Sequence, residues 1–328
     1  MEPRLPEGPD VIITTGDLLG LGDHGAFSTL PERFAKLCWK CKHEHRRDSS
    51  FGQYDRDHAL CGSCRCDHSE PYNVYIDADT RASNPEILEL IWEKNPYVKG
   101  LSDKKPNAGY GFSGILQGKA YELTNTLGGH RGIECVERAN GLPPPYSMAP
   151  KIYYTPKPPP IDVRETVIVD YSAVSTKYGR GDIEEEIKMM IGRFRGAPML
   201  QLLHPSWVVL NQEQWVPSVY RCGSIFEYMD FLHACRAWVG SEAGGQMLAA
   251  AVRGEHDVYD DAARPEIVCK ITPATFNSGM YRWRGVDYRV TANGNGGGYW
   301  SPSEVKNYQY HIACKIREFK MAEELAHG

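Results

Sequence analysis

The chain has 328 residues, 37 Lys+Arg against 42 Asp+Glu, a net charge of −5, and 41% hydrophobic and 24% charged residues. These values describe a globular protein long enough for two domains, and they exclude a disordered chain and nucleic-acid binding through bulk positive charge. No run of about 18 uninterrupted apolar residues is present, and the start, Met1 to Gly8, lacks the basic-then-apolar pattern of a signal peptide. The sequence therefore predicts a cytoplasmic protein without a membrane span.

In chain order, the first signal is a β-branched run, Val11-Ile12-Ile13-Thr14-Thr15, ending in Gly16-Asp17. A glycine-rich turn follows, Gly20-Leu21-Gly22-Asp23-His24-Gly25, and then helical spacing from Ala26 to Leu37. Glycines at a strand-to-helix turn let backbone approach a ligand, and a helix start favours an anion. Asp23 is suited to act as a general base facing a cleft, with Gly22 and His24 beside it. The glycine spacing is not that of a dinucleotide fingerprint, and no Lys-Ser/Thr follows as a P-loop requires.

Next comes a cysteine cluster. Cys38, Cys41, Cys61 and Cys64 read C-x2-C-x19-C-x2-C, a spacing that lets two thiolate pairs close a tetrahedron around one zinc ion. Cys66, His43, His45, His58 and His68 are spare ligands, so which four bind stays open. Four thiolates with no open position make a structural zinc, here holding together a polar insertion over residues 38–68. The remaining cysteines (Cys135, Cys222, Cys235, Cys269 and Cys314) read as buried small hydrophobes. The insertion also carries Lys36, Lys40, Lys42, Arg46, Arg47 and Arg65 around Trp39, diluted by Asp48, Asp55, Asp57 and Asp67.

A second strand, Asn73 to Ile76, is followed by Asp77-Ala78-Asp79. That pattern can hold a metal, but an Asp at a strand end more often caps a turn. Pro85 to Lys94 reads as a helix with Ile87, Leu90 and Ile91 on one face, and His130 to Asn140 as another, stopped by Gly141. Leu142 to Pro160 holds eight of the 22 prolines, an extended, semi-rigid connector. It divides the chain into residues 1–145, a connector at 146–161, and residues 162–328.

The second half repeats the alternation. Thr166 to Asp170 is a strand, Asp182 to Phe194 a helix with Asp182 as N-cap, Pro198 to Leu203 a strand ending at His204, and Phe226 to Cys235 a helix. Ala237 to Val239 is a strand and Gly245 to Val252 a helix of small residues. Between them, Gly240-Ser241-Glu242-Ala243-Gly244-Gly245 offers backbone N–H groups suited to a diphosphate, and Glu242 an acceptor for sugar or ribose hydroxyls; a close helix–sheet contact needing small side chains is the competing explanation. His204 at its strand end faces the cleft in this reading. Trp207, Trp215, Trp238 and Trp283 are expected in cores, and the segment 293–298 (NGNGGG) in a surface loop. Strand–helix alternation in two halves predicts an α/β protein of two Rossmann-like domains with parallel sheets.

With these segments placed, the sequence resembles the heptosyltransferase-like glycosyltransferases of the GT-B fold, those of the ADP-heptose lipopolysaccharide type. The matching features are Gly22-Asp23 after the first strand with Pro31 in the helix beyond, and Glu242-Ala243-Gly244-Gly245-Gln246-Met247-Leu248-Ala249-Ala250-Ala251. In the family the second segment carries Asp-Ser/Thr-Gly-x-x-His-Leu-Ala-Ala-Ala, so Glu242 lengthens the acid and Met247 replaces the His; the Asp23 to Pro31 spacing is also longer. The segments 84–98 and 224–235 look like those of members encoded near polysaccharide or phage DNA-modification genes. The resemblance implies two domains flanking a cleft and Asp23 as the base. It further implies a nucleotide-diphosphate sugar donor held by Lys177, Ser241, Glu242, Gly244, Gly245 and Gln246, an acceptor near Gly22, His24 and His204, and no catalytic metal. The acceptor implied is a glycan or a modified nucleic-acid base. The rival reading is a catalytically inactive scaffold of this fold whose zinc knuckles bind nucleic acid or a protein partner.

Overall fold

Two all-parallel sheets organise the chain. The computed structural model describes residues 4–16, 20–40, 42, 70–109, 132–172, 176–177, 180–203, 214–254, 265–271, 283–290 and 298–299. The first sheet contains β1 (Asp10–Thr14), β2 (Asn73–Asp77), β3 (Val98–Ser102) and β4 (Ala108–Gly109) in the order β3-β2-β1-β4. β1 is central, and Val11, Ile12 and Ile13 are all buried, as an unbroken apolar run requires when both faces of a strand are covered. β3 lies at the edge and alternates half-buried and exposed residues, with Leu101 69% exposed.

The second sheet contains β5 (Val167–Asp170), β7 (Met199–Leu203), β8 (Val219–Arg221), β9 (Ala237–Ser241), β10 (Glu266–Ile271) and β11 (Val286–Val290). Its order is β11-β10-β9-β5-β7-β8. Counted within the lobe, this is the 3-2-1-4-5-6 order of the dinucleotide-binding fold, read from its other edge, with the switch point between β5 and β9. In the first sheet the corresponding reversal falls between β1 and β4. β6 (Thr176–Lys177) stands apart, pairing antiparallel with β12 (Gly298–Tyr299).

The helices depart from the sequence expectation at their ends. The single helix expected over Ala26 to Leu37 is two: α1 (Leu21–Phe27), which absorbs most of the glycine-rich turn, and α2 (Leu30–Ala35). Pro31 explains the break, since a residue without an N–H is accommodated in the first turn of a new helix rather than inside an old one. α3 (Pro85–Leu88), capped by the Asn84 side chain, widens into a π turn over Glu89–Glu93, where the Lys94 N–H reaches the Glu89 carbonyl at 3.0 Å. α4 (Gly132–Ala139) ends before Gly141, whose φ of +75° is the left-handed conformation a helix stop uses. α5 (Arg180–Arg193) begins two residues before Asp182, which therefore sits in the first turn rather than at the cap. α6 (Ile225–Ala234) is capped by Ser224, and α7 (Gly244–Gly254) is buried along nearly its whole length. Among the described residues no helix is long and apolar enough to cross a membrane.

Two hydrophobic clusters result. One covers a single face of the second sheet, with Ile183, Ile187 and Met190 of α5 and Phe194 just beyond it against Val167, Val169 and Val239. The larger runs through both lobes, joining Val11, Phe27 and Trp92 to Met229, Trp238 and Leu248. Trp238 and Trp283 are buried as expected, whereas Trp215 is partly buried and Trp207 lies outside the described residues.

The proline-rich connector is extended and irregular, as its composition predicts, but it is pinned to both lobes. From the first, Glu32 of α2 accepts from the Tyr153 hydroxyl at 2.8 Å and pairs with Lys151 at 2.8 Å. From the second, Asp230 of α6 accepts from the Tyr154 hydroxyl at 2.8 Å and the Lys157 N–H at 2.7 Å. Burial pushes the Glu32 carboxyl up, but hydrogen bonds from Lys151, Lys36 and Tyr153 outweigh it and bring it from the usual 4.5 down to about 2. A carboxyl depressed on folding contributes stability above its unfolded value that is lost as pH falls toward its folded value. Glu32→Gln is therefore expected to cost about 2–3 kcal/mol at pH 7. Thermal unfolding from pH 6 to pH 3 should lower the wild-type midpoint more than the variant's; equal losses would exclude Glu32 as an acid-sensitive anchor.

Candidate active site

The carboxyl end of β1 and the carboxyl ends of β5 and β9 converge on the contact between α1 and α7. In open α/β sheets this is where ligands bind. The contact is reciprocal. A Cβ on Gly244 would lie 2.8 Å from Leu21 Cδ2, and one on Gly25 would overlap the side chain of Met247. Each helix thus supplies a glycine that receives the other's side chain, and Met247, 1% exposed, locks the two lobes together. Asp23 lies two residues beyond Leu21 in the first turn of α1. Its carboxylate folds back toward the helix start, since a Cβ on Gly20 would lie 2.8 Å from its Oδ2. It is half-buried, at the positive end of its own helix.

Beneath α7 lies a buried network absent from the sequence expectation. Asp170, at the end of β5 and 1% exposed, accepts from the Ser172 N–H at 3.0 Å and from the Ser172 hydroxyl. Its other oxygen accepts from the Tyr228 hydroxyl at 2.6 Å, which in turn accepts from Trp238 Nε1 at 2.9 Å. Burial and then the Asp170 charge push the Tyr228 hydroxyl well above its ordinary value, so it remains a donor. A Cβ on Gly245 would lie 2.6 Å from Asp170 Oδ2 and 2.7 Å from the Tyr228 hydroxyl. Gly245 is therefore required by helix–sheet packing, and the first turn of α7 rests over a buried carboxylate that shares its positive end. The signal in the sequence was an Asp at the end of an otherwise apolar strand.

Several expected site residues have other employment. His24, expected to face the cleft, is fully buried: its Nδ1 accepts from Trp92 Nε1 at 2.9 Å and its Nε2 donates to the Arg81 carbonyl at 3.0 Å. Those partners fix the neutral Nε2–H tautomer. Ser241 is buried and donates to the Tyr171 carbonyl at 3.4 Å, and Gln246 donates to the Tyr288 hydroxyl at 2.8 Å. Glu242 is 8% exposed at the end of β9, its N–H on the Lys270 carbonyl. Gly22 lies in the first turn of α1 beside Asp23. Lys177 pairs through its backbone with Gly298, beyond β5. His204 lies outside the described residues, as does His130, the expected start of the helix that is α4. Asp77 accepts from the Asp79 N–H at 3.1 Å, and the Asp79 side chain is 91% exposed, the turn-capping arrangement. Among the described residues no group of three His, Cys, Asp or Glu side chains is placed to hold a metal.

Of the cysteine quartet, Cys38 is described and buried; Cys41, Cys61 and Cys64 lie outside the described residues, as does Cys66. The base of the insertion is closed. Cys38 bridges antiparallel to Pro71, the Trp39 N–H meets the Glu70 carbonyl at 3.1 Å, and the Trp39 indole donates to the Glu70 carboxylate at 3.1 Å. The described residues on either side of the intervening stretch thus meet at one point of the first lobe.

No protein-family model matches the sequence, and no curated protein matches it. Among solved structures, the chain is similar to the iron-containing dodecameric glycosyltransferase TibC from enterotoxigenic E. coli, at 11% identity over 95% of this chain and 78% of that one, with a TM-score of 0.52. It is likewise similar to the heptosyltransferase TibC in complex with ADP-D-β-D-heptose, at 12% identity, the same coverages and a TM-score of 0.53. E. coli ADP-heptose lipopolysaccharide heptosyltransferase II aligns over 94% of this chain and all of its own at 12% identity, with a TM-score of 0.44. The likeness to TibC, together with the two parallel sheets, gives this chain the GT-B fold.

The interlobe lock is open to a double-mutant cycle. Gly25→Val should destabilise by about 1–3 kcal/mol through overpacking against Met247, and Met247→Ala added to it should recover part of that loss. Additive destabilisation in the double variant, read by denaturant unfolding, would show that the two positions do not pack together.

Proposed function

We propose that the protein is a glycosyltransferase moving a sugar from a nucleotide-diphosphate donor to an acceptor hydroxyl of a glycan or a modified nucleic-acid base. The observation that carries this reading is the convergence of two switch-point turns, Gly20–Asp23 from one lobe and Ser241–Gly245 from the other, across the Leu21–Gly244 contact. In the proposed reaction the acceptor oxygen attacks the anomeric carbon, the bond from that carbon to the donor phosphate breaks, and the nucleoside diphosphate leaves. The acceptor proton passes to Asp23. Positioning by two pinned lobes and charge stabilisation by the start of α7 supply the catalysis, with Lys177 balancing the diphosphate and Glu242 accepting from a ribose or sugar hydroxyl. The donor complex described for TibC supports ADP-heptose as the first donor to try.

The inactive-scaffold reading gains from one observation: Ser241, Gln246, Gly244 and Gly245 are all accounted for by packing. One experiment separates the two. ADP-heptose at about 100 times its Kd should stabilise the protein by about 2.7 kcal/mol, and Asp23→Asn should keep that stabilisation while losing about 10²–10⁴ of the donor turnover. Absence of stabilisation by any nucleotide-sugar would favour the scaffold.

The cysteine quartet in this reading holds a structural metal. A closed base that returns the chain to Cys38 suits a site whose ligands come from both ends of the insertion. Four thiolates fit zinc, and also iron, the metal named for TibC. Plasma mass spectrometry should find one equivalent of zinc per chain, lost in Cys61→Ser with Cys64→Ser. One equivalent of iron would correct the metal, and an apo protein of unchanged stability would remove the site.

A further inference from the structure

The lobes meet along a second line besides α1 and α7. Glu86, in α3 of the first lobe, reaches across to the start of α6 in the second, where its Oε2 accepts from the Ile225 N–H at 2.7 Å. The first N–H groups of a helix have no partner within it, and α6 draws its acceptors from both lobes. Its own lobe supplies Ser224, whose hydroxyl accepts from the Glu227 N–H at 3.0 Å. The Glu227 carboxylate in turn accepts from the Gly223 N–H and, at 2.6 Å, from the Tyr220 hydroxyl. Ile225 takes its acceptor from the other lobe, and the charge of Glu86 suits the positive end of a ten-residue helix. Beside this bond, Lys94 Nζ lies 5.0 Å from the centre of the Phe226 ring while it stays paired with Glu89 at 2.8 Å.

The two lines of contact differ in what it costs to part them. Between α1 and α7, Met247 and Leu21 are buried against glycines, and the hydrophobic core runs through both lobes. Separating those helices returns apolar surface to water and leaves each glycine hollow without the side chain that fills it. Between α3 and α6, Glu86 is half-buried and Lys94 exposed, so water replaces both polar contacts at little cost. The two lines also differ in place. α1 and α7 follow β1 and β9, which are interior strands, whereas α3 leads into β3 and α6 follows β8, and both of those are edge strands. The strong contact is therefore central, and the weak one lies toward the rim that β3 and β8 form.

We propose that Glu86 is an interlobe latch: the lobes open at the α3–α6 edge by release of the Glu86–Ile225 bond, pivoting on the α1–α7 contact, which stays closed. Opening uncovers the start of α6 and the carboxyl end of β8. It leaves the starts of α1 and α7 together, so Asp23 keeps its place against the second lobe. A ligand can then enter from the side of β3 and β8 without the two halves of the candidate site being separated. The latch follows from how the lobes meet and does not depend on the ligand being a nucleotide-sugar.

The test is a pulsed electron-resonance distance measurement on the full chain. Spin-labelled unnatural residues replace Leu101 and Val219, which are exposed on β3 and β8, so the native cysteines stay untouched. Glu86→Ala should raise the long-distance population at least about tenfold over the otherwise unaltered labelled chain. Glu86→Gln, which still accepts a hydrogen bond but carries no charge, should fall between the two. Amide exchange read by mass spectrometry on the same proteins reports on the pivot: protection should fall at the start of α6 and stay unchanged in α7. An unchanged distance distribution in Glu86→Ala would overturn the latch, and faster exchange at α6 without a longer distance would reduce Glu86 to a helix cap. Loss of protection in α7 equal to that at α6 would overturn the pivot. If Glu86→Ala does not fold, Glu86→Gln decides, and an unchanged distribution there overturns the proposal.

Discussion

The reciprocal packing of α1 and α7 is the constraint on which the site rests. Gly25 receives Met247 and Gly244 meets Leu21, so two helices from different sheets approach as closely as side chains on both would forbid. Burial of Met247 alone is worth about 1.5–3 kcal/mol. Its larger consequence is geometric, because it sets the start of α1, with Asp23, against the start of α7. The glycines at the site are therefore needed first for packing, and any ligand chemistry uses a surface that packing has already fixed.

The connector complements this arrangement. Helix contact holds the lobes at the candidate site, and two buried carboxylates, Glu32 and Asp230, hold the connecting chain behind it. The acids do different work from the exposed ion pairs elsewhere, such as Arg164 with Asp162. Screened surface pairs contribute about 0–1 kcal/mol, whereas a buried carboxylate with three donors, as at Glu32, is costly to neutralise. A proline-rich sequence can thus be stiff through its own backbone and still depend on tertiary hydrogen bonds for its path.

Asp170 shows how a buried charge can organise a site without facing a ligand. Its oxygens are divided between Ser172 and Tyr228, and the start of α7 lies over it. The Asp170 carboxylate, Ser172, the Tyr228 hydroxyl and the Trp238 indole form one hydrogen-bonded unit inside the core, and breaking it by removing one partner would strand the others.

Much of the architecture was legible in the residues themselves. β1 and β5 were visible because parallel strands covered on both faces leave unbroken apolar runs, and the connector because proline excludes a helix. The stop at Gly141 and the small-residue run of α7 were equally plain, since glycine and alanine carry their conformational and packing meaning locally. The positions of the glycine-rich turns, and hence the candidate site, followed from that alternation. What the sequence could not decide was employment. His24, Ser241 and Gln246 are polar residues next to a turn, and nothing local distinguishes a side chain aimed at a ligand from one aimed at Trp92, Tyr171 or Tyr288. Those partners lie tens of residues away, and only the folded chain brings them within hydrogen-bond reach. Strand order, the pairing of Gly25 with Met247 and the pinning of the connector belong to the same class. Backbone preference and apolar periodicity are local properties, written residue by residue, whereas register between distant segments is settled by burial of the whole core.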